Sequence, residues 1–415
     1  MRYKEEIRDT LWLVLLQGVG YAVPLLVLPY LMKVLGPGRF GCYSFGVAVA
    51  QYLLLIVDFG FNLTATRRIA VARDNPLEVD RIFSAVMKAK LGLLALSLLL
   101  GAGIGLLPAY RSFLPVTLVS MLTVVGQCFT FTWLYQGLGR IRWLSLINAL
   151  CKILLLPLAF LLVKGPDDCL VAAALQSGVY LLAAVVSTAL AFVRRYARWQ
   201  RTAWSDTLPF LKEGFPLFLS TAATSIYTSL FVVLLASFAP DDEVGRYAAA
   251  EKVMRACTYL LWIPLSQAFF PRVSRLAATA PADARQLVIR LLAGSSCLML
   301  AVGLFLWFGA TPLVAWLGKG YDGMQTAMRI LAVVPWLVTT GGICGQMGLI
   351  AGGGNTGSRY FMRVYLAAGA IALAAVLTLG VRYGAVGTAC SVLLAELFVT
   401  VMMLIGWLRL MRSHR

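Results

Sequence analysis

Long apolar runs separated by short polar segments recur from end to end of the chain. Twelve can be marked, at residues 11–34, 42–66, 88–108, 113–137, 144–163, 169–193, 215–239, 245–270, 287–309, 327–352, 360–381 and 384–408. Runs of this length read as membrane-spanning helices, because about 20 residues rising about 1.5 Å each cross a hydrocarbon core about 30 Å thick. The first run is long and has no small-residue cleavage site after it, so it is expected to stay in the mature protein. The longest polar segment, 194–214, is rich in arginine and tryptophan and falls at mid-chain. The pattern predicts an all-α polytopic membrane protein of about 12 transmembrane helices in two six-helix lobes. These are an N-lobe over 1–193, a cytoplasmic linker over 194–214 and a C-lobe over 215–415.

A shift of 204 residues places spans one to three on spans seven to nine without a gap. It superimposes Gly41 and Tyr43 on Gly245 and Tyr247, Val49 on Val253, and Arg68 on Arg272. Six spans per half return the chain to the side it started from, so the halves form a parallel repeat with a pseudo-twofold axis along the membrane normal. By fold-level analogy, such two-lobed proteins work by alternating access with the substrate path between the lobes.

Basic residues fix the direction. With the N-terminus cytoplasmic, 25 of the 36 lysines and arginines fall on the cytoplasmic side, Lys88 and Lys90 among them, and 8 outside. The other 3, Lys152, Lys252 and Arg255, lie within spans. That excess places both termini in the cytoplasm. The formal net charge of +18 is spread over seven short segments, so it reads as a topology signal beside anionic membrane lipids and calls for no nucleic-acid partner.

Composition narrows the chemistry. Hydrophobic residues make up 60% of the 415 and charged residues 13%, with a mean hydropathy of +0.83. The single histidine, His414, and eight cysteines scattered without a CxxC pair leave no basis for imidazole catalysis or a metal site. No stretch matches a phosphate-binding P-loop; Gly318-Lys319-Gly320 lacks its first glycine and hydroxyl residue. No catalytic residue, metal or cofactor is expected.

Ionisable groups at membrane depth cost about 2.5–3.5 kcal/mol each on insertion scales, so each asks for a partner or a role. Asp58 lies in span two, Lys152 in span five, Glu251, Lys252 and Arg255 in span eight, and Glu396 in span twelve. Glu251 and Arg255, four apart, share a helix face; Lys252 is turned about 100° from Glu251. Two readings stand: a structural ion pair, or an anion-binding role for Lys252 or Arg255. Asp58 and Glu396, with Glu251, are candidates for carrying a coupling H+ or Na+; helix-packing hydrogen bonds are the other reading. Span one contributes Gln17, Tyr21 and two prolines, Pro24 and Pro29, that bend it.

Several stretches carry a resemblance. They are Leu35-Gly36-Pro37-Gly38-Arg39-Phe40-Gly41-Cys42-Tyr43, Asp58-Phe59-Gly60-Phe61, Thr66-Arg67-Arg68-Ile69-Ala70 and Trp133-Leu134-Tyr135-Gln136-Gly137. Gly245-Arg246-Tyr247, Glu251-Lys252, Pro264, Gln267 and Pro271-Arg272 complete the set. In order and spacing the chain resembles the Wzx-type O-antigen and polysaccharide repeat-unit flippases of the multidrug/oligosaccharidyl-lipid/polysaccharide exporter superfamily.

The resemblance implies a bacterial inner-membrane, multi-pass transporter that is not an enzyme. It implies movement of an undecaprenyl-pyrophosphate-linked oligosaccharide to the periplasmic leaflet, alongside a polysaccharide polymerase and chain-length proteins. Such an anionic headgroup needs a wet cationic path. Lys152, Lys252 and Arg255 are the candidate cations there, with Arg67, Arg68 and Arg363 at the cytoplasmic mouth. Gln17, Tyr21 and Gln136, with Trp133 and Tyr135, are candidates for touching sugars. The superfamily's lipid II branch carries arginines in its first helix, which span one lacks. A multidrug exporter of the same superfamily, and a membrane polysaccharide polymerase or ligase, are the competing readings. The first would favour an acidic path and the second a sizeable outer loop, neither of which the sequence offers.

Overall fold

In the computed structural model the apolar runs are helices, and glycine, proline and left-handed residues mark where they break. The structure describes the backbone of residues 2–318 and 320–413. It describes the side chains of residues 23, 26–104, 106–215, 217–219, 221–222, 225, 230–270, 272–277, 279–318, 320–352 and 356–411. Gln17 and Tyr21 therefore lie outside the described side chains. By internal contacts the chain divides into Met1–Ala222 and Ala223–Arg415.

The first unit begins with α1 (Arg2–Asp58), sharply broken at Gly36 (φ 68°, ψ 171°) just before Pro37. Phe59 (φ 40°) and Gly60 (φ 81°) end it, and α2 (Phe61–Ala72) follows at once. The apolar run at 42–66 is thus two helices, and Asp58 sits at their break rather than deep inside one span. A Cβ on Gly60 would lie 2.9 Å from both the Gly214 carbonyl and the Leu217 Cβ, so both conformation and space require glycine there.

Next come α3 (Pro76–Leu106), capped by the Asn75 side chain, α4 (Leu114–Phe129) and α5 (Thr132–Gly137), separated from α4 by left-handed Phe131. The helices α6 (Ile141–Leu162) and α7 (Cys169–Val193) complete the bundle, and α8 (Trp204–Leu235) begins eleven residues earlier than the apolar pattern indicates. In the second unit α9 (Asp241–Thr279) and α10 (Pro281–Leu317) precede α11 (Met324–Leu331) and α12 (Val334–Gly342). A π-helical stretch, Ile343–Ile350, leads into α13 (Ala351–Ala375). A second π segment, Val376–Gly380, precedes α14 (Val381–Ser413).

Burial follows the logic of a bilayer. On α7 the inward residues are small, Ala172, Ala173, Ser177, Ala183, Ala184, Ser187 and Ala191, while Leu170, Leu182, Val185, Phe192 and Val193 face outward. Lipid supplies no hydrophobic drive between helices, so close backbone approach and hydrogen bonds hold them. Gly126 of α4 illustrates this, since a Cβ there would lie 2.6 Å from the Tyr180 backbone of α7. Beside it Thr123 Oγ1 donates to Ser177 Oγ (3.1 Å), which donates to the Val119 carbonyl (3.0 Å). α10 turns Leu304, Phe305 and Phe308 outward.

Eight segments of the described residues are long and apolar enough to cross a membrane. Two of them, Leu26–Ala72 (47 residues) and Thr356–Met411 (56 residues), exceed the length of one crossing. α9 is absent from that set, and it carries the densest group of buried charges.

Candidate functional site

In the second unit, α9 places Glu251, Arg255 and Tyr259 one turn apart on a single face. Arg255 donates from Nε (2.9 Å) and Nη2 (2.8 Å) to Glu251 Oε1, and from Nη1 to the Tyr259 hydroxyl (3.0 Å). Groups one turn before and after thus aim the guanidinium along the helix. The Glu251 side chain is 6% exposed and Arg255 20%. Glu396 of α14, which packs on α9, is also buried and lies within Coulombic range of Arg255. Glu251 thus binds the guanidinium directly and Glu396 acts on it only at longer range, while Lys252, a half-buried neighbour, interacts electrostatically with Glu251.

Of the two readings the sequence left open for Glu251 and Arg255, a structural ion pair or an anion-binding arginine, the structure shows the ion pair, with Glu396 nearby and Asp58 elsewhere. Arg255 is engaged with Glu251, so its charge is largely offset locally. An acid–base–acid arrangement can take up or release one cation while leaving no isolated charge in a dry interior.

In the first unit Lys90 Nζ lies 3.4 Å from Asp58 Oδ1. Lys90 belongs to the middle of α3 with its side chain 2% exposed, against 32% for Asp58. Lys90 is thus a buried helix residue and not one of the basic residues flanking a span: α3 starts at Pro76, twelve residues before the apolar run at 88–108, and the mostly apolar stretch Ile82–Met87 already belongs to it. Asp58, although the more exposed of the two acids, is paired with this lysine at the α1–α2 break, whereas Glu396 has no ion pair among the described residues.

At the α2 end of the same unit, Thr64, Arg67, Arg68, Glu78, Ile82 and Glu213 line an open pocket of about 640 Å³. Arg68 is held by Glu213, with Nη2 at 2.5 Å and Nε at 3.2 Å, and stacks 4.4 Å from the Phe210 ring centroid. That hydrogen bond keeps the Glu213 carboxyl below its ordinary 4.5. Arg67 is exposed and makes no hydrogen bond or ion pair among the described residues. Of the two adjacent arginines, one is structural and one available.

The segment after α7 does not hang free between lobes. Its Arg198 N–H donates to Asp80 (2.7 Å), its Gln200 N–H to Ser84 Oγ (2.7 Å), and its Thr202 carbonyl accepts from Lys88 (2.8 Å). Every second residue of an extended chain, about 6.6–6.8 Å apart, meets every fourth residue of α3, about 6 Å apart. Arg81 adds a 3.0 Å bond to Asp206, whose carboxyl it holds below the ordinary 3.8. The whole strap belongs to the first unit.

The remaining candidates are dispersed. Lys152 is half-buried on α6, Arg363 is exposed on α13, and Gln136 is exposed at the end of α5. Trp133 and Tyr135, read as sugar contacts, are instead fully buried. Tyr135 donates its hydroxyl to the Ser187 carbonyl (2.5 Å), so both are core residues of the first unit. Among the described residues no group of three or more His, Cys, Asp or Glu is placed to hold a metal ion.

Comparison with known proteins places this arrangement. Residues 7–277 match the family described as "Polysaccharide biosynthesis protein". The chain is 31% identical over 402 residues to the Escherichia coli (strain K12) protein named "Putative O-antigen transporter", spanning 96% of this chain and 95% of that one. A Shigella dysenteriae protein of the same name is 30% identical, spanning 96% and 98%. Among solved structures, the lipid II flippase MurJ in an inward closed conformation superposes with a TM-score of 0.73 at 14% identity, covering 95% of this chain and 87% of that one. An inward-facing multidrug resistance MATE family transporter of the MOP superfamily superposes at 0.66 and 15%, covering 96% of each chain. At those identities the two structures share the fold, that of multi-pass membrane transporters. By sequence, the chain belongs to the polysaccharide biosynthesis protein family.

Proposed function

We propose that the protein is a non-enzymatic flippase that moves an undecaprenyl-pyrophosphate-linked oligosaccharide, an O-antigen or related repeat unit, across the bacterial inner membrane by alternating access. The single observation that carries this reading is the full-length match to two proteins named as O-antigen transporters, on a fold shared with a lipid-linked-precursor flippase. In this reading the chain crosses the membrane about twelve times with both termini in the cytoplasm. The available Arg67, in its open polar pocket, meets the pyrophosphate on the cytoplasmic side. The Glu251–Arg255–Glu396 cluster is the ion-coupling element and takes H+ or Na+ at Glu396, with Lys252 beside it. Lys152 and Arg363 are further cations along the path, and a polysaccharide polymerase and chain-length proteins act on the delivered unit.

A second reading, export of drugs or other small cations, has its own support in a 29% match over 199 residues to a protein of Aromatoleum aromaticum named "Probable multidrug resistance protein NorM". One experiment separates them. A clean deletion, with extraction of lipid-linked glycans, is expected to leave repeat units on their polyprenyl carrier at the cytoplasmic face and to abolish surface polymer. Undiminished surface polymer together with new drug sensitivity would favour the exporter.

A further inference from the structure

A second pocket, apolar and of about 390 Å³, opens inside the second unit and takes no part in the reading above. Its floor is Val273, Ala284, Val288, Met347 and Trp407, all buried; its rim includes Arg285, Gly352 and Leu410. Four helix ends meet there: the C-terminal part of α9, the start of α10, the π segment leading to α13, and the last turns of α14.

Three features define what it would hold. The walls are hydrocarbon, and the volume sits at the small end of the range for ligand pockets, about 300–1,000 Å³, enough for part of one acyl chain. Arg285 lines the pocket yet has no hydrogen bond or ion pair among the described residues. Arg272, Arg275 and Arg290 lie on the same helix ends with Asp283 as the one acid between them, an excess of positive charge that favours an anionic headgroup. The same helices carry outward apolar surface near it, with Ile289 on α10 and Leu404 and Leu408 on α14 exposed.

We infer that this pocket is a binding site for an anionic glycerophospholipid of the bilayer, with its phosphate on Arg285 and one acyl chain against Met347 and Trp407. The site is separate from the residues assigned to transport, so the inference stands or falls apart from them.

The test uses the full chain in detergent, with native mass spectrometry counting retained lipid during titration with phosphatidylglycerol, phosphatidylcholine or undecaprenyl phosphate. Wild type is expected to retain one phosphatidylglycerol with about fivefold to tenfold preference over phosphatidylcholine, the scale of one arginine–phosphate contact. Arg285→Gln is expected to remove the preference while leaving residual binding. Gly352→Phe is expected to block binding of either phospholipid. A Cβ at Gly352 meets only Leu410 Cδ2, at 3.8 Å, so the new ring can enter the pocket without breaking the backbone. Arg290→Gln, which does not line the pocket, is expected to keep wild-type retention. Equal retention of the two phospholipids by wild type, or unchanged retention in both pocket variants, overturns the assignment. Undecaprenyl phosphate displacing phosphatidylglycerol at substoichiometric amounts overturns it as well, and hands the pocket to the carrier lipid. None of these readouts depends on the glycan, so they leave the flippase reading to its own test.

Discussion

Arg255→Gln is the sharpest perturbation available to the buried cluster. In the native structure one guanidinium serves Glu251 through two donors to a single oxygen, serves Tyr259 through a third, and acts on Glu396 across the α9–α14 contact. Removing one partner of a buried pair costs about 3–5 kcal/mol, because the other charge is left without compensation; Arg255 retains some solvent contact, so about 3 kcal/mol is the working figure. Glu251→Gln should cost less, since Arg255 keeps Glu396 and Tyr259. The double variant removes both members and should cost little more than Arg255→Gln alone, leaving a coupling energy of about 2 kcal/mol. Adding Glu396→Gln to Arg255→Gln should restore stability, because the second stranded carboxylate is then gone. The assay is equilibrium unfolding in mixed micelles followed by tryptophan fluorescence, on protein purified from matched membranes. Single-variant costs that add to within about 0.5 kcal/mol would refute the shared guanidinium, as would an Arg255→Gln variant more stable than Glu251→Gln.

Other regions give independent tests. Gly60→Ala combines a left-handed backbone with contact against the Gly214 carbonyl and should cost about 2 kcal/mol or more, measured in the same unfolding assay. Asp80→Ala leaves the part-buried Arg198 N–H without its acceptor, a loss of about 1 kcal/mol, and should speed trypsin cleavage at Arg198 and Arg201, whereas Asp80→Asn should protect nearly as well as wild type. Asp206 and Glu213 titrate below their ordinary values because Arg81 and Arg68 hold them charged. Their stabilisation is complete above about pH 4.5 and is lost as pH falls through the lower folded values, so strap protection against an acid protease should fall below about pH 4, and Asp206→Asn should remove that dependence for its own contact. Arg67→Gln should reduce surface polysaccharide at unchanged protein level, while Arg68→Gln, which strands Glu213 and bares Phe210, should lower the protein level itself.

The sequence and the structure diverge at particular residues for particular reasons. Hydropathy located the membrane-crossing material because spanning requires length and apolarity, and those survive any detail of packing. It did not locate breaks: Phe59–Gly60 and Phe131 interrupt runs that stay apolar on average, since a left-handed residue leaves no mark in a hydropathy average. It also passed over α9 as an ordinary span. The charges on that helix, which exclude it from the apolar segments, are what its burial against α14 makes useful.

The pairing of acids and bases was half legible. Glu251 and Arg255 are four apart on one helix, so periodicity alone predicted their contact. Asp58 with Lys90, and Arg255 with Glu396, join helices distant in sequence, and only packing reveals them. That distinction changes the functional assignment. Read in sequence, Lys152, Lys252 and Arg255 formed a cationic path with Arg67, Arg68 and Arg363 at its mouth; in the fold, Arg68 and Arg255 are each bound by a carboxylate, as is Lys90, while Arg67 makes no hydrogen bond or ion pair among the described residues. A transporter for an anionic headgroup built this way would present few available cations at once, and the others would become available only when a neighbouring acid took up a proton or Na+. Binding of the headgroup and uptake of the ion would then be coupled through competition for the same basic groups. The Glu396→Gln variant isolates that competition: if it holds, the variant mimics the protonated acid, removes one competitor for Arg255 and makes transport independent of the ion gradient, whereas gradient dependence identical to wild type would place the coupling elsewhere.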